Sequence, residues 1–454
     1  MRKVALELLS PDERQSLLRR SAVPDRDVRS KAADICRDVM GRGSVAVEDY
    51  ARAFGGGFRR VTDDEIEEAI ASLSSELRTA LDSATSAIAT FHQAQVPDTT
   101  TVTTAPGVEI TRRWAPLRRV GAYIPGGSAP LPSTALMTVV PARLAGVEEI
   151  VAVSPSGDTG EPSPLVIAAA SLAGATEIWT IGGAQAIAAL AYGAGDLRRV
   201  QKIVGPGNAW VTAAKLAVFG DVAIDLPAGP SEVLVLADAT ADPRLVAVDL
   251  LCQAEHGPDS PAVLVTTDAG FPDLVLTEID RLLPRLERSS ILRQTLDTNG
   301  LVVTTPSLDQ AVLFAQEYAA EHVSIATAFP DADAARITSA GSVYIGPWAA
   351  ESAGDYATGA NHVLPTGGLA SACNPLQIED FGSWRQEQRL TREGLKTLTP
   401  TITALARAEG LTAHALAATI RFDTTESGRA PGPPPTESGR APGPPPIESE
   451  GGRR

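Results

Sequence analysis

Glu232-Val233-Leu234-Val235-Leu236-Ala237, the helical run Asp242–Glu255 and Ala262-Val263-Leu264-Val265-Thr266 follow one another closely, and their reading decides the fold. The outer runs are β-rich and the middle one carries helical periodicity, the succession of a parallel βαβ unit. The same alternation extends both ways. Upstream lie Arg119–Ile124, Ile150–Val153, Glu177–Ile181, Val200–Val204 and Val222–Ile224; downstream lie Leu301–Thr304, Val323–Ala326 and Ser342–Ile345. These strands exceed what one doubly wound sheet holds comfortably, so two sheets are expected. The predicted fold is α/β, with two Rossmann-like parallel-sheet domains and small helical elements at each end.

Both termini read differently from this middle. Ser10-Pro11-Asp12-Glu13 and Thr62-Asp63-Asp64-Glu65 are capping boxes that open helices, the second predicted to run to about Gln95. Residues 377–422 read as helices. The stretch Thr425–Pro435 repeats unchanged at 436–446 and has almost nothing to bury, so it is read as an inert tail. The expected organisation is 1–20 helical, 21–122 plus 233–376 a larger discontinuous domain, 123–232 a second domain, 377–423 helical and 424–454 tail.

Composition narrows the function. At 454 residues the chain needs more than one core. A net charge of −16 lacks the basic stripe that nucleic acid requires. Cys36, Cys252 and Cys373 are too few and too scattered for a disulfide framework and fit a reducing cytosol. Glu7, Asp12 and Glu13 interrupt any signal core, and the alanine-rich stretch Leu165–Ala194 is broken by Glu177 and glycines, so a cytoplasmic protein without a membrane span is expected.

Gly41-Arg42-Gly43-Ser44-Val45-Ala46 matches a dinucleotide fingerprint, but it follows a helical stretch where the motif needs a strand. Better glycine turns follow strands at Pro125-Gly126-Gly127, Gly182-Gly183 and Gly205-Pro206-Gly207-Asn208. The last two open helices whose N-termini could hold phosphate oxygens, or they are ordinary βα turns. Four of the five histidines sit in polar stretches: Gln253-Ala254-Glu255-His256, Glu321-His322, Gly354-Asp355-Tyr356 through His362, and His414. Imidazole is both a proton shuttle and a zinc ligand, so the pattern suggests a metal site with acid/base chemistry. Gln253 and His256 share a helix face near a Gly257-Pro258 stop, which suits ligands and helix capping equally. Glu321-His322 at a helix-to-strand junction suits water activation or a surface acid beside a helix-end imidazole. His92, in Phe91-His92-Gln93, reads as packing or a helix cap.

Together these residues resemble histidinol dehydrogenases. The matching segments are Asp225-Leu226-Pro227-Ala228-Gly229-Pro230-Ser231-Glu232, Gln253 through Ser260, Tyr123-Ile124-Pro125-Gly126-Gly127, Gly182-Gly183-Ala184-Gln185, Gly205–Asn208, Glu321-His322, Gly354 through Thr366, and Leu411-Thr412-Ala413-His414. They span about residues 5–422 and leave out the tail. The resemblance implies oxidation of L-histidinol to L-histidine in two steps through the bound aldehyde, using NAD and one zinc per subunit of a homodimer. By position it implies zinc ligands Gln253, His256, Asp355 and His414, and a catalytic pair Glu321 and His322. Substrate contacts would come from Ser231, Gln253, His256, His322, Asp355, His362, Glu409 and His414, some of them across the dimer, and NAD contacts from Tyr123, Gln185 and Asn208. Ala320 replaces the family's commoner proline before the glutamate, with both catalytic side chains retained. Rival readings are a thiohemiacetal on Cys252, which its apolar neighbours Leu250 and Leu251 disfavour, a zinc hydrolase, and a non-catalytic metal binder.

Overall fold

A computed structural model describes residues 1–55, 57–126, 130–157 and 163–423; the tail and Gly127 lie outside them. Contacts divide the chain into two units. One comprises Met1–Thr100 with Arg112–Gln386, the other Thr101–Thr111 with the chain from Glu387 onward.

The first unit holds two six-stranded sheets. In one, Val233–Ala237 pairs in parallel with Ala262–Thr266 on one side and His322–Ala326 on the other. Gly300–Thr304 and Ser342–Ile345 extend it, and Arg2–Ala5 adds a parallel edge beside Gly300–Thr304. In the other, Arg119–Tyr123 lies between Glu149–Ser154 and Lys202–Val204, with Glu177–Thr180 and Ala223–Ile224 outside them. Arg59–Arg60 closes that edge antiparallel. The five consecutive parallel strands of each sheet run in the same doubly wound order, 3-2-1-4-5.

Both sheets are apolar on both faces because helices cover both, as parallel sheets require. Residues alternate between faces. Val120, Ala122, Ile150 and Ala152 face Ser75–Gln93, Pro132–Leu144 and Pro164–Ala173, whereas Tyr123, Val151, Val153 and Ile203 face Arg26–Arg42, Gly183–Tyr192 and Ala209–Val218. Val233, Val235 and Leu264 face Pro243–Glu255, while Leu234, Leu236 and Val263 face Leu308–Tyr318. The helices between residues 26 and 93, expected with the sheet built from 233–376, pack instead on the sheet that contains Arg119–Tyr123.

Two other expectations are corrected. The helix predicted from Thr62 to about Gln95 is two helices, Asp63–Ala71 and Ser75–Gln93, because Ser74 caps the second by accepting from Leu77 N. Gly382–Leu390, expected helical, is a strand in which Trp384 lies under the Arg112 guanidinium, 3.4 Å away. Thr100–Ala105 and Val108–Pro116 are strands that periodicity did not suggest. Gly41 to Ala46 is helical apart from Gly43, so no strand precedes the false fingerprint. The second unit carries Arg392–Ala408 packed on Thr412–Thr419. No helix among the described residues is long and apolar enough to cross a membrane.

Candidate functional site

A cavity of about 480 Å³ brings the two sheets' loops together within the first unit. From the Arg119–Tyr123 sheet come residues that follow strands: Pro125 and Pro206-Gly207-Asn208. From the other sheet come residues that precede strands: Ser231 before Val233, His256–Ser260 before Ala262, and Glu321-His322 at the start of His322–Ala326. The carboxyl ends of one sheet thus face the amino ends of the other, and only the first follows the usual rule for open α/β sheets.

Glu321 and His322 are held by backbone as well as side chains. His322 pairs in register with Val233, and His322 N donates to Glu232 O at 3.1 Å. Ser342 N donates to Glu321 O at 2.8 Å. Glu321 Oε2 accepts from Ser231 Oγ at 2.6 Å and Glu232 N at 2.9 Å. Ser231, expected on the substrate, therefore commits its hydroxyl to the Glu321 carboxylate. Before the pair, Ala319 adopts a left-handed backbone, φ 49°, which ends the helix and turns the chain into the strand. Burial raises the Glu321 carboxyl well above the usual carboxylate range despite the two donors, and nearby Glu232 and Asp355 add to the rise. Burial, followed by the His256 and His362 rings, drives His322 down to about 3. The imidazole is accordingly neutral at physiological pH, and both its nitrogens lack a hydrogen-bond partner among the described residues.

Gln253 and His256 close the helix Pro243–Glu255. Gln253 is fully buried, with neither amide atom hydrogen-bonded among the described residues. Asp355, on the short helix Glu351–Tyr356, is pushed up to about 6 by burial. One ligand atom each of His256, Asp355 and Glu351 lies within 4.8 Å of the others. Glu351 was passed over in the sequence; its i,i+4 spacing from Asp355, which puts both on one helix face, was the available signal. His362 is oriented by Asp355 O at Nδ1, 3.1 Å, and by the Thr134 hydroxyl at Nε2, 3.3 Å. His92 is a packing residue, buried with Nδ1 at 2.9 Å from Ile88 O and Nε2 at 3.3 Å from the Asn361 amide. Glu409 and His414 are exposed residues of the second unit, one following Arg392–Ala408 and the other on Thr412–Thr419.

The residues expected to contact NAD gather at the switch point of the Arg119–Tyr123 sheet, where strand order reverses between Arg119–Tyr123 and Lys202–Val204. The Tyr123 hydroxyl accepts from Gly183 N at 3.3 Å. Gln185 is buried at the start of the helix that Gly183 opens. Asn208 caps Ala209–Val218 by accepting from Trp210 N and Val211 N, so those two amides are already paired. Gly205, at φ +108°, has no alternative: a Cβ there would lie 2.2 Å from Tyr123 O. Cys252 is half-buried, and burial with Glu351, Asp355 and Asp249 around it pushes its thiol up to about 12, which denies it the thiolate a nucleophile needs.

The chain matches the family model described as histidinol dehydrogenase over residues 18–422. It is 46% identical to the histidinol dehydrogenase of Natronomonas pharaonis over 419 residues, 91% of this chain and 98% of that protein. It is 44% identical to the histidinol dehydrogenase of Photobacterium profundum over 430 residues, covering 93% and 96%. The crystal structure of histidinol dehydrogenase from Elizabethkingia anophelis superposes with a TM-score of 0.87 at 38% identity, covering 93% of this chain and 98% of that one. On sequence and fold alike, the chain belongs to the histidinol dehydrogenase family.

Proposed function

We propose that the chain oxidises L-histidinol to L-histidine in two NAD-dependent steps at a zinc site, as a cytoplasmic homodimer that shares the substrate site between subunits. The observation that carries this reading is one cavity lined by the buried Glu321–His322 pair, by His256 and Asp355, and by the Pro206–Asn208 turn.

The residues fit a metal. Gln253 is buried with an unpaired amide, Asp355 is a buried carboxylate and His256 supplies an imidazole, a donor set suited to zinc. His414 is the fourth ligand by family correspondence. Zinc held there would act as a template that fixes the imidazole and amine of the substrate, and NAD at Tyr123, Gln185 and Asn208 would take up hydride in each oxidation. His362 and Glu409 complete the substrate contacts.

The chain's own groups then divide the proton work. His322, neutral and with free nitrogens, accepts the hydroxyl proton of the alcohol. Glu321 takes a proton from the water that adds to the aldehyde, and its raised carboxyl brings a general base closer to operating pH. Because the aldehyde stays in a cavity lined from both sheets, a reactive amino aldehyde is kept from solvent.

Absorbance at 340 nm on adding histidinol and NAD tests the activity, and a chelated sample that keeps full turnover would remove zinc from the reading. Glu321→Gln tests the division of roles. It should slow single-turnover oxidation of histidinaldehyde about 10²–10⁴-fold and that of histidinol far less. Equal losses in both steps would show that Glu321 does not serve the water.

A further inference from the structure

The metal reading leaves one buried group without a role. Glu351 is 1% exposed, and neither carboxylate oxygen has a hydrogen-bond partner among the described residues. A carboxylate buried this way costs several kcal/mol unless a cation or donors meet it, as a rough expectation. The neutral His322 ring stands beside it, with Nδ1 3.6 Å from Oε1, too long for a hydrogen bond. Its location is specific. Glu351 and Asp355 stand one turn apart on the same helix, and their oxygens and a His256 ring nitrogen lie within 4.8 Å of one another. Gln253, three residues before His256, is likewise buried with an unpaired amide.

We propose that Glu351 is a member of the metal centre, placing a second carboxylate on the cation beside Asp355. The inference rests on the zinc reading above and deepens it. Gln253 and His256 bring no charge, so Asp355 alone would leave a divalent ion half neutralised in a water-poor site. Glu351 supplies the missing negative charge, and the cation supplies the partner that the buried carboxylate lacks. A second hard oxygen also raises the site's acceptance of manganese or cobalt relative to a site with one carboxylate.

The test is metal binding to the full, metal-stripped chain, read with a competing chromophoric chelator for zinc and by visible absorption for cobalt. Glu351→Gln keeps the shape and removes the charge. It should weaken zinc binding by about 10–100-fold, change the cobalt spectrum, and shrink the rise in melting temperature that saturating zinc gives the wild type. Circular dichroism of the stripped variant checks the fold. Glu351→Asp keeps the charge but withdraws it by one methylene, and should bind with intermediate affinity. Either folded variant binding zinc within about twofold of wild type, with an unchanged cobalt spectrum, overturns the proposal, even if turnover falls. In that case Glu351 serves His322 alone. His256→Asn should lose zinc in the same assay. Loss there with no change in the Glu351 variants would sink this inference and leave the zinc reading standing, whereas a wild type that binds neither metal would sink both.

Discussion

Lys215 is the residue whose removal should show how the Gly205–Asn208 turn is built. It lies on Ala209–Val218 with its side chain 2% exposed and pairs with Asp225, whose side chain is 1% exposed. Its Nζ donates to Gly205 O at 3.0 Å and Leu226 O at 3.1 Å, while Asp225 Oδ2 accepts from Gly205 N at 2.7 Å. Both partners thus grip the residue that opens the Gly205–Asn208 turn. Lys215→Met keeps most of the stem's packing and strands Asp225 as a buried, unpaired charge. Breaking a buried pair from one side costs about 3–5 kcal/mol. The two carbonyls lose their donor as well, at about 1–3 kcal/mol each if no water replaces it. Those terms overlap, so we expect a loss of about 4 kcal/mol in guanidinium unfolding followed by circular dichroism. The double variant Lys215→Met/Asp225→Asn removes both charges yet leaves an amide oxygen for Gly205 N–H. It should recover at least about half of the loss. The apparent KM for NAD should rise in the single variant, because Pro206–Asn208 line the cavity. A single variant that loses less than about 1 kcal/mol, or a double variant no more stable than the single, would refute the account.

Ser231→Ala removes a donor that holds the Glu321 carboxyl down, so that carboxyl rises further and the basic form appears only at higher pH. The acid limb of kcat/KM for the aldehyde step should move to higher pH, and an unmoved limb would disconnect Ser231 from Glu321. Cys252→Ser should keep most of kcat, since a thiol pushed up to about 12 is almost wholly protonated at pH 8; a loss of about three decades or more would instead make it the nucleophile. At Ala319, glycine would relieve about 1–2 kcal/mol of left-handed strain but forfeit a buried methyl and gain unfolded-state freedom, about 0.8 and 0.5–1 kcal/mol. Ala319→Gly should therefore be near neutral in thermal melting, while Ala319→Val, branched at a positive φ, should cost about 2 kcal/mol or more; a Val variant as stable as wild type would contradict the geometry.

The parallel sheets were legible because strands covered on both faces must be short apolar runs, as Val233–Ala237 and Ala262–Thr266 are. What periodicity missed has equally physical causes. Ser72–Ser74 break a continuous helical pattern because a serine cap competes with helix propagation. Trp384 sits among polar residues whose strand depends on partners distant in sequence. At the site, the motif residues Gln253, His256, Asp355, Glu321 and His322 were read from their residue types and from resemblance, and the fold brings the last four to one cavity. The commitment of the Ser231 hydroxyl to Glu321 was invisible, because it depends on Val233 and His322 standing in register. Glu351 was invisible for a related reason. A glutamate heading a six-residue helix looks like an ordinary first-turn acid until burial is known.

The Arg2–Ala5 strand has a consequence for synthesis. It pairs with Gly300–Thr304, Arg2 opposite Leu301, so its partner leaves the ribosome some three hundred residues later. At roughly 5–20 residues per second, the first strand emerges on the order of 15–60 s before the strand that will hold it. The intervening sheet of residues 119–224 has all its parallel strands in that interval and can complete them without waiting. Throughout that time the nascent chain carries an unpaired strand, open to chaperones or to a neighbouring chain on the same message.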